Sequence, residues 1–233
     1  MAVPPQTNEA FLREVDEELR RDQMADLWKR WGRLLVVAIV AGLIAFGGYL
    51  WWRDYQAKQA GLEGEKLNAA IEQLARNEID QAAPALKELS QSSRPGYRAA
   101  AQLAAGAVAA QKGDTAAAVA AFSAVAKDKD AGQALRDLAL IRQTTIEFDT
   151  LPPDQVISRL QSLAQKGTPW FGSAGELTAI AHLKAGRPKD AGAIFAALAA
   201  DQAVPSSIRS RAAQMASVLG IPINPADLPS ANR

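Results

Sequence analysis

The 233-residue chain carries 26 lysine and arginine residues against 25 aspartate and glutamate residues, a formal net charge of +1. This balance gives no evidence of the strongly basic surface typical of proteins that bind nucleic acid non-specifically. The chain has no cysteine, which excludes disulfides, thiolate metal sites and cysteine nucleophiles.

The N-terminal segment divides into a tip and a helix. Residues 1–8 predict a disordered end, and residues 8–32 predict a helix with an apolar stripe near helical spacing. The stripe consists of Phe11, Val15, Leu19, Ala25 and Trp28. Two interpretations stand: a contact for a partner protein, or a solvated helix beside a membrane, and we prefer the second. Residues 1–32 then form a cytoplasmic tail.

An apolar run follows, with no charged residue from Leu34 to Trp52. As a helix it rises about 28 Å, close to the hydrocarbon thickness of about 30 Å. Aromatic and basic residues flank it as they do at membrane interfaces. These predicted interface anchors are Trp28, Trp31, Arg33, Tyr49, Trp51, Trp52 and Arg53. The sequence therefore predicts a single transmembrane anchor over residues 33–53.

Two other interpretations of the run are less favoured. A cleaved signal peptide would need small residues at its exit, where this chain has YLWWR. A buried core helix would show a polar face, which the run lacks. Five basic residues shortly before the run against three after it favour a cytoplasmic N-terminus. The small pairs Ala38–Gly42 and Ala41–Ala45 favour either packing between spans or the ordinary composition of a span.

A repeat of 35 to 38 residues fills the rest of the chain. The matching columns begin with Asn77, Gly113, Leu151 and Gly186 and continue with Ala82, Ala118, Val156 and Ala191. The next columns are Leu86, Phe122, Leu160 and Phe195, then Leu89, Val125, Leu163 and Leu198. Upstream columns are Ile71, Ala107, Thr145 and Ile180, then Leu74, Ala110, Phe148 and Leu183.

Each repeat predicts a hairpin of two helices. The first helix ends at a turn such as KGD (112–114) or AGR (185–187), where glycine supplies a positive φ. The second helix presents its apolar columns on one stripe, which neighbouring hairpins cover by stacking. Proline- and glycine-containing breakers separate the repeats, as in SSRPG (92–96) and KGTPW (166–170). We predict about four hairpins and a capping helix over residues 54–220, then a disordered tail at 221–233.

Fifteen of the 28 residues from Ala99 to Ala126 are alanine, the strongest helix former. This composition, with the hairpin pattern, predicts an all-α protein: one transmembrane helix followed by an α-solenoid. The predicted repeat-packing residues are Ala82, Leu86, Gly113, Ala118, Phe122, Val156, Leu160, Gly186, Ala191 and Phe195.

The segments GDTAAAVAAF (113–122) and GRPKDAGAIF (186–195) resemble the tetratricopeptide repeat, with a turn glycine, then alanine, then an aromatic residue. The early tryptophan of that repeat and its tyrosine before the turn are missing, so its peptide-clasping residues do not carry over. The first and third repeats also lack the turn glycine.

The whole layout resembles a more specific family. LWKRWG, one span ending in YLWWRDYQ, and degenerate repeats are similar to the YfgM-type family, the ancillary subunit of the bacterial SecYEG translocon. This resemblance implies an inner-membrane protein with a periplasmic repeat domain. It also implies partners among the translocon and periplasmic chaperones, with secreted chains passing from channel to chaperone.

Enzyme signatures do not stand out. The single histidine, His182, lies in a predicted helix between Ile180 and Leu183, where packing is the favoured role. No phosphate-loop motif or spaced metal-ligand cluster is visible, so we expect no catalytic site, cofactor, metal, nucleic acid or small-molecule substrate. Trp170 lies at a repeat boundary and either contacts peptides or, as we prefer, packs between adjacent helices.

Three functions remain to be distinguished. The first is a membrane-anchored, non-catalytic adaptor for protein partners. The second is an inner-membrane scaffold for envelope assembly without a role in secretion, and the third is a membrane-bound enzyme. Because repeat scaffolds serve many unrelated ends, the fold alone does not choose among them.

Overall fold

The computed structural model describes the backbone of residues 7–222 and the side chains of residues 28–222. The disordered tip expected before residue 7 and the tail expected after residue 222 lie outside the described residues. The same holds for the apolar stripe expected between Phe11 and Ala25.

All regular structure in the described range is helical, which confirms the all-α prediction. The helices are α1 (Thr7–Ala75), α2 (Ile79–Leu89), α3 (Pro95–Gln111), α4 (Thr115–Lys127), α5 (Gln133–Glu147), α6 (Pro153–Leu160), α7 (Phe171–Lys184), α8 (Pro188–Ala200) and α9 (Ser206–Val218). The chain divides into two compact units between Gly61 and Leu62.

The first unit is built on α1, which runs for 69 residues without a break. The expected helix over residues 8–32 and the apolar run are therefore one element. Between Trp28 and Ala75 the helix contains an 18-residue window with a mean hydropathy of 2.3, none of it buried. Among the described residues, this is the one helix long and apolar enough to cross a membrane.

The second unit is a series of helix hairpins. The first helices, which we call A helices, are residues 62–75 of α1, then α3, α5 and α7, with α9 in the same position at the end. The second helices, which we call B helices, are α2, α4, α6 and α8. Among the A helices, α3 contacts α5, α5 contacts α7, and α7 contacts α9. The A helices thus form one layer, as neighbouring hairpins of a solenoid do.

The turns after the A helices share one backbone geometry. Asn77, Gly113, Gly186 and Gly220 have φ of 61°, 78°, 70° and 74°. In each turn the next N–H donates to a carbonyl five residues back, as in the bond from Asp114 to Ala109 at 2.9 Å. This pair of features is the Schellman ending of a helix. The first repeat, expected to be weaker without a glycine, makes the same turn with asparagine.

The third hairpin departs from this pattern. Among the described residues, Asn77 is the one non-glycine with positive φ, so Leu151 does not take the conformation of its column. The prolines at 152 and 153 instead mark the start of α6, which is only eight residues long. Proline favours the first helical turn because its fixed φ suits a helix and its missing N–H is not needed there.

Buried side chains form a separate small core at each level of the stack. One cluster joins α1, α2 and α3 through Ala70, Leu86 and Ala101. At the other end, a larger cluster joins α7, α8 and α9 through Phe171, Phe195 and Ala212. The helix predicted to cap the stack is α9, and its alanine face is buried in this last cluster.

Candidate interaction surface

A column of small residues lies where each A helix packs on its B helix. Its members are Ala70, Gly106, Thr144 and Ala179, all buried. Their partners in the alignment are the large residues Leu86, Phe122, Leu160 and Phe195. The contact is closest at Gly106, where an added Cβ would lie 2.8 Å from Phe122 Cε1. Close helix approach therefore depends on this column, which the sequence analysis missed.

The signal for the column was present in the sequence. It lies one residue before the column that begins with Ile71, at the same intervals. Small residues in an alanine-rich chain give little contrast, so the pattern was hidden by composition.

The predicted repeat-packing residues fall into two groups. Eight of them, all on B helices, are at most 3% exposed: Ala82, Leu86, Ala118, Phe122, Val156, Leu160, Ala191 and Phe195. Gly113 and Gly186 instead occupy exposed turns, and no atom lies within 4 Å of a Cβ added at either. These two glycines supply backbone conformation and leave the packing to their neighbours.

The upstream columns, expected to join the apolar stripe, face a different way. Ile71 is 50% exposed, Ala107 and Thr145 are exposed, and Ile180 is half-buried. The column three residues later is half-buried throughout: Leu74, Ala110, Phe148 and Leu183. Because the A helices lie side by side, these two columns make one largely apolar strip. We call these eight residues the A-helix surface.

Ion pairs between consecutive A helices border this surface. Lys184 Nζ lies 2.6 Å from Asp149 Oδ1 and 4.6 Å from the centroid of the Phe148 ring. Arg211 donates to both carboxylate oxygens of Glu176 at 2.8 Å, and this hydrogen-bonded pairing raises the pKa of Arg211. The charges bordering the surface are thus matched, which leaves apolar contact as its main means of recognition.

Two residues singled out in the sequence take structural positions. His182 is 15% exposed, with Nδ1 3.8 Å from Asp190 Oδ2. Trp170 is half-buried and packs against the cluster that contains Val156 and Leu160. Trp170 also lines a cleft of about 280 Å³ with the chain around Val204. Within the described residues, no three His, Cys, Asp or Glu side chains are grouped as metal ligands would be.

The predicted interface anchors all lie on α1. The aromatic members Trp28, Trp31, Tyr49, Trp51 and Trp52 are between 55% and 71% exposed. Arg33 and Arg53 are also exposed. Trp51 stacks on Tyr55 with ring centroids 6.0 Å apart. Side chains so large and apolar rarely stay exposed in water, and they suit the amphipathic zone of a bilayer.

Comparison with known proteins identifies the class. The family described as "Tetratricopeptide repeat-like domain" matches residues 26–215, and the chain belongs to it. A more distant relationship is to the "Ancillary SecYEG translocon subunit" of Haemophilus influenzae, 24% identical over 150 residues. That match covers 64% of this chain and 72% of the relative. No solved structure matches. The resemblance drawn from the sequence is thereby confirmed as distant homology.

Proposed function

We propose that this protein is a non-catalytic adaptor anchored in a bacterial inner membrane, an ancillary subunit of the Sec translocon that links secreted proteins to periplasmic chaperones. One observation carries the proposal. The family match extends from residue 26 to residue 215, so the apolar run and the repeats are matched as one unit. The name of the relative from Haemophilus influenzae supports the translocon as partner.

The mechanism proposed is tethering. The A-helix surface offers apolar side chains such as Ile71 and Leu183 beside charges that are already paired. Individual contacts with an emerging chain would be weak, but an anchor next to the channel raises the effective concentration of the surface. A weak and largely apolar site accepts many sequences, which suits secreted proteins of varied composition.

The proposal requires the N-terminus in the cytoplasm and the repeats in the periplasm. The excess of basic residues before the apolar run supports this orientation. Alkaline phosphatase fused after Arg233 should be active, and a cytosol-active reporter at the same place should be inactive. The reverse pattern would remove both the translocon and the chaperone role.

Co-purification after mild crosslinking tests the partners. The full chain should recover translocon subunits, chaperones and secreted chains. Ile71→Glu should reduce the recovery of secreted chains and chaperones but leave the translocon subunits. Leu62→Glu is the matched control, because Leu62 is 53% exposed on the same helix and half a turn away from Ile71. An equal loss with both variants would contradict a role for the A-helix surface.

The alternative is a scaffold for envelope assembly. It draws on the spacing of Ala38 and Gly42 on the span, with no added-Cβ contact within 4 Å of Gly42. Recovery of the chain with copies of itself and with no translocon subunit would favour this scaffold. A turnover lost in His182→Ala would favour the membrane-bound enzyme instead.

A further inference from the structure

The N-terminal edge of the apolar run carries a surface groove. Its volume is about 680 Å³, within the range of small-molecule sites of about 300–1,000 Å³. Its lining consists of Trp28, Lys29, Gly32, Arg33, Val36 and Val37. The groove thus lies at the level where the sequence changes from basic and aromatic to continuously apolar.

The lining forms two rows along the helix, because residues four apart lie one above the other. Trp28, Gly32 and Val36 make one row, and Lys29, Arg33 and Val37 make the other. Gly32 is buried, and a Cβ added there would lie 3.1–3.3 Å from the Trp28 ring. The glycine therefore lets the indole lie against the helix and leaves a notch between the rows.

We propose that this groove binds one anionic phospholipid, a step that rests on the membrane anchoring proposed above. The headgroup phosphate lies between Lys29 and Arg33, because guanidinium and ammonium groups form charge-assisted hydrogen bonds with phosphate oxygens. An acyl chain follows the notch towards Val36 and Val37, which are 47% and 64% exposed. The order of chemistry along the groove, cationic then apolar, is the order within the lipid.

Charge complementarity distinguishes this end of the run from the other. At the C-terminal end, Arg53 is followed by Asp54, whose carboxylate lies 2.8 Å from Lys58 Nζ. A carboxylate there offsets the positive charge and repels an anionic headgroup. The cationic pair at Lys29 and Arg33 lies instead inside a groove whose other lining residues are uncharged. Basic pockets at a membrane surface bind anionic headgroups on this principle.

Quenching of Trp28 by brominated lipids tests the site in the full chain. Phenylalanine replaces the other four tryptophans, which are Trp31, Trp51, Trp52 and Trp170. The protein is reconstituted in phosphatidylcholine vesicles, and brominated phosphatidylglycerol is compared with brominated phosphatidylcholine. We expect about fivefold stronger association of the anionic lipid, since one basic residue near the surface contributes about that factor.

The matched controls separate a site from general surface attraction. The double variant Lys29→Gln, Arg33→Gln should reduce the ratio to about one. Arg30→Gln removes an equal charge from a neighbour outside the groove and should change the ratio little. Gly32→Leu should also abolish the preference by filling the notch, whereas Gly42→Leu, with no atom within 4 Å of its Cβ, should preserve it.

The outcomes distinguish failure of the site from failure of the anchor. Equal quenching by both lipids in the unmodified groove overturns the lipid site but leaves the anchor in place. An equal fall in the ratio with Arg30→Gln and with Arg33→Gln also overturns the site, because the preference then belongs to the surface as a whole. Absence of quenching by either lipid overturns the membrane anchor itself.

Discussion

At the residue scale, the spacing of the hairpin helices depends on the small member of each packing pair. Gly106 allows the ring of Phe122 to lie against the backbone of α3, and Phe122 is 2% exposed. In the third hairpin the same position holds Thr144, which is fully buried. Its Oγ1 donates to the carbonyl of Leu140 at 2.7 Å, so the hydroxyl is satisfied without a partner from α6.

Gly106→Ala tests the close approach. Alanine gains about 1 kcal/mol of helix propensity over glycine, but overpacking a core costs about 1–3 kcal/mol. We expect a net loss of about 1 kcal/mol in the free energy of unfolding, measured by urea denaturation in detergent. Gly96→Ala is the control on the same helix, because its Cβ would meet no atom within 4 Å. Equal stability of the two variants would contradict the packing role of Gly106.

The ion pair between Asp128 and Arg98 gives stability a defined pH dependence. Hydrogen bonds from Arg98 and then from the backbone N–H of Asp130 hold the pKa of Asp128 below its usual value. A lowered folded-state pKa stabilises the fold above the unfolded pKa of about 3.9, and this contribution is lost as the pH falls through the folded-state value.

We therefore expect Asp128→Asn to lower the melting temperature at pH 7. The difference from the unsubstituted chain should close progressively below about pH 4, because both then carry a neutral side chain. Melting curves between pH 3 and pH 7 measure this, with Asp130→Asn as the exposed control. A gap that persists unchanged at pH 3 would show that the ionised carboxylate is not the source.

At the element scale, the turn after each A helix is set by one left-handed residue. Asn77 takes this conformation at φ 61°, and asparagine is among the few non-glycine residues that do so routinely. Its Oδ1 also accepts a hydrogen bond of 3.3 Å from Gln111 Nε2 on α3, the next A helix. The first hairpin therefore ends its A helix as the second and fourth do.

Substitution of Asn77 separates backbone strain from side-chain contact. Asn77→Ala should lower the free energy of unfolding by about 1 kcal/mol, because alanine is strained in the left-handed region. Asn77→Gly should be as stable as the unsubstituted chain, since glycine adopts this conformation without a steric penalty. Thermal unfolding followed by circular dichroism compares the two. If both lose equal stability, the contact with Gln111 is the more important term.

Much of this architecture follows from the sequence, and the gaps have physical causes. The apolar run, the turn glycines at 113 and 186 and the leucine or phenylalanine columns each have a strong local signature. The third turn was misaligned at Leu151 because paired prolines replace the glycine signal there. The A-helix surface was not predicted, since a half-exposed Ile71 and a buried isoleucine look alike in sequence.

At the scale of the whole stack, stability is expected to be local. The buried residues form four clusters, and each joins helices that are near neighbours in the chain. Solenoids of this kind are stabilised by the sum of their repeats and the interfaces between them. A defect at one end of the stack should therefore leave the other end protected.

A reciprocal pair of core substitutions tests this locality. Leu89→Ala lies in the first cluster and Leu198→Ala in the last, and each should cost about 2–4 kcal/mol. Hydrogen exchange should rise in α2 and α3 for Leu89→Ala, and in α7 to α9 for Leu198→Ala. A uniform rise along the stack in either variant would show that the repeats unfold as one cooperative unit.

The turn after α9 makes the stack open to enlargement. Gly220 lies 34 residues beyond Gly186, and the N–H of Ile221 donates to the carbonyl of Ala216, as in an internal hairpin. The terminal helix thus finishes with the geometry that elsewhere introduces a B helix. A tandem graft of a second copy of residues 188–219 after Ile221 should lengthen the solenoid by one hairpin. The fold thereby supplies its own splice point for modular engineering.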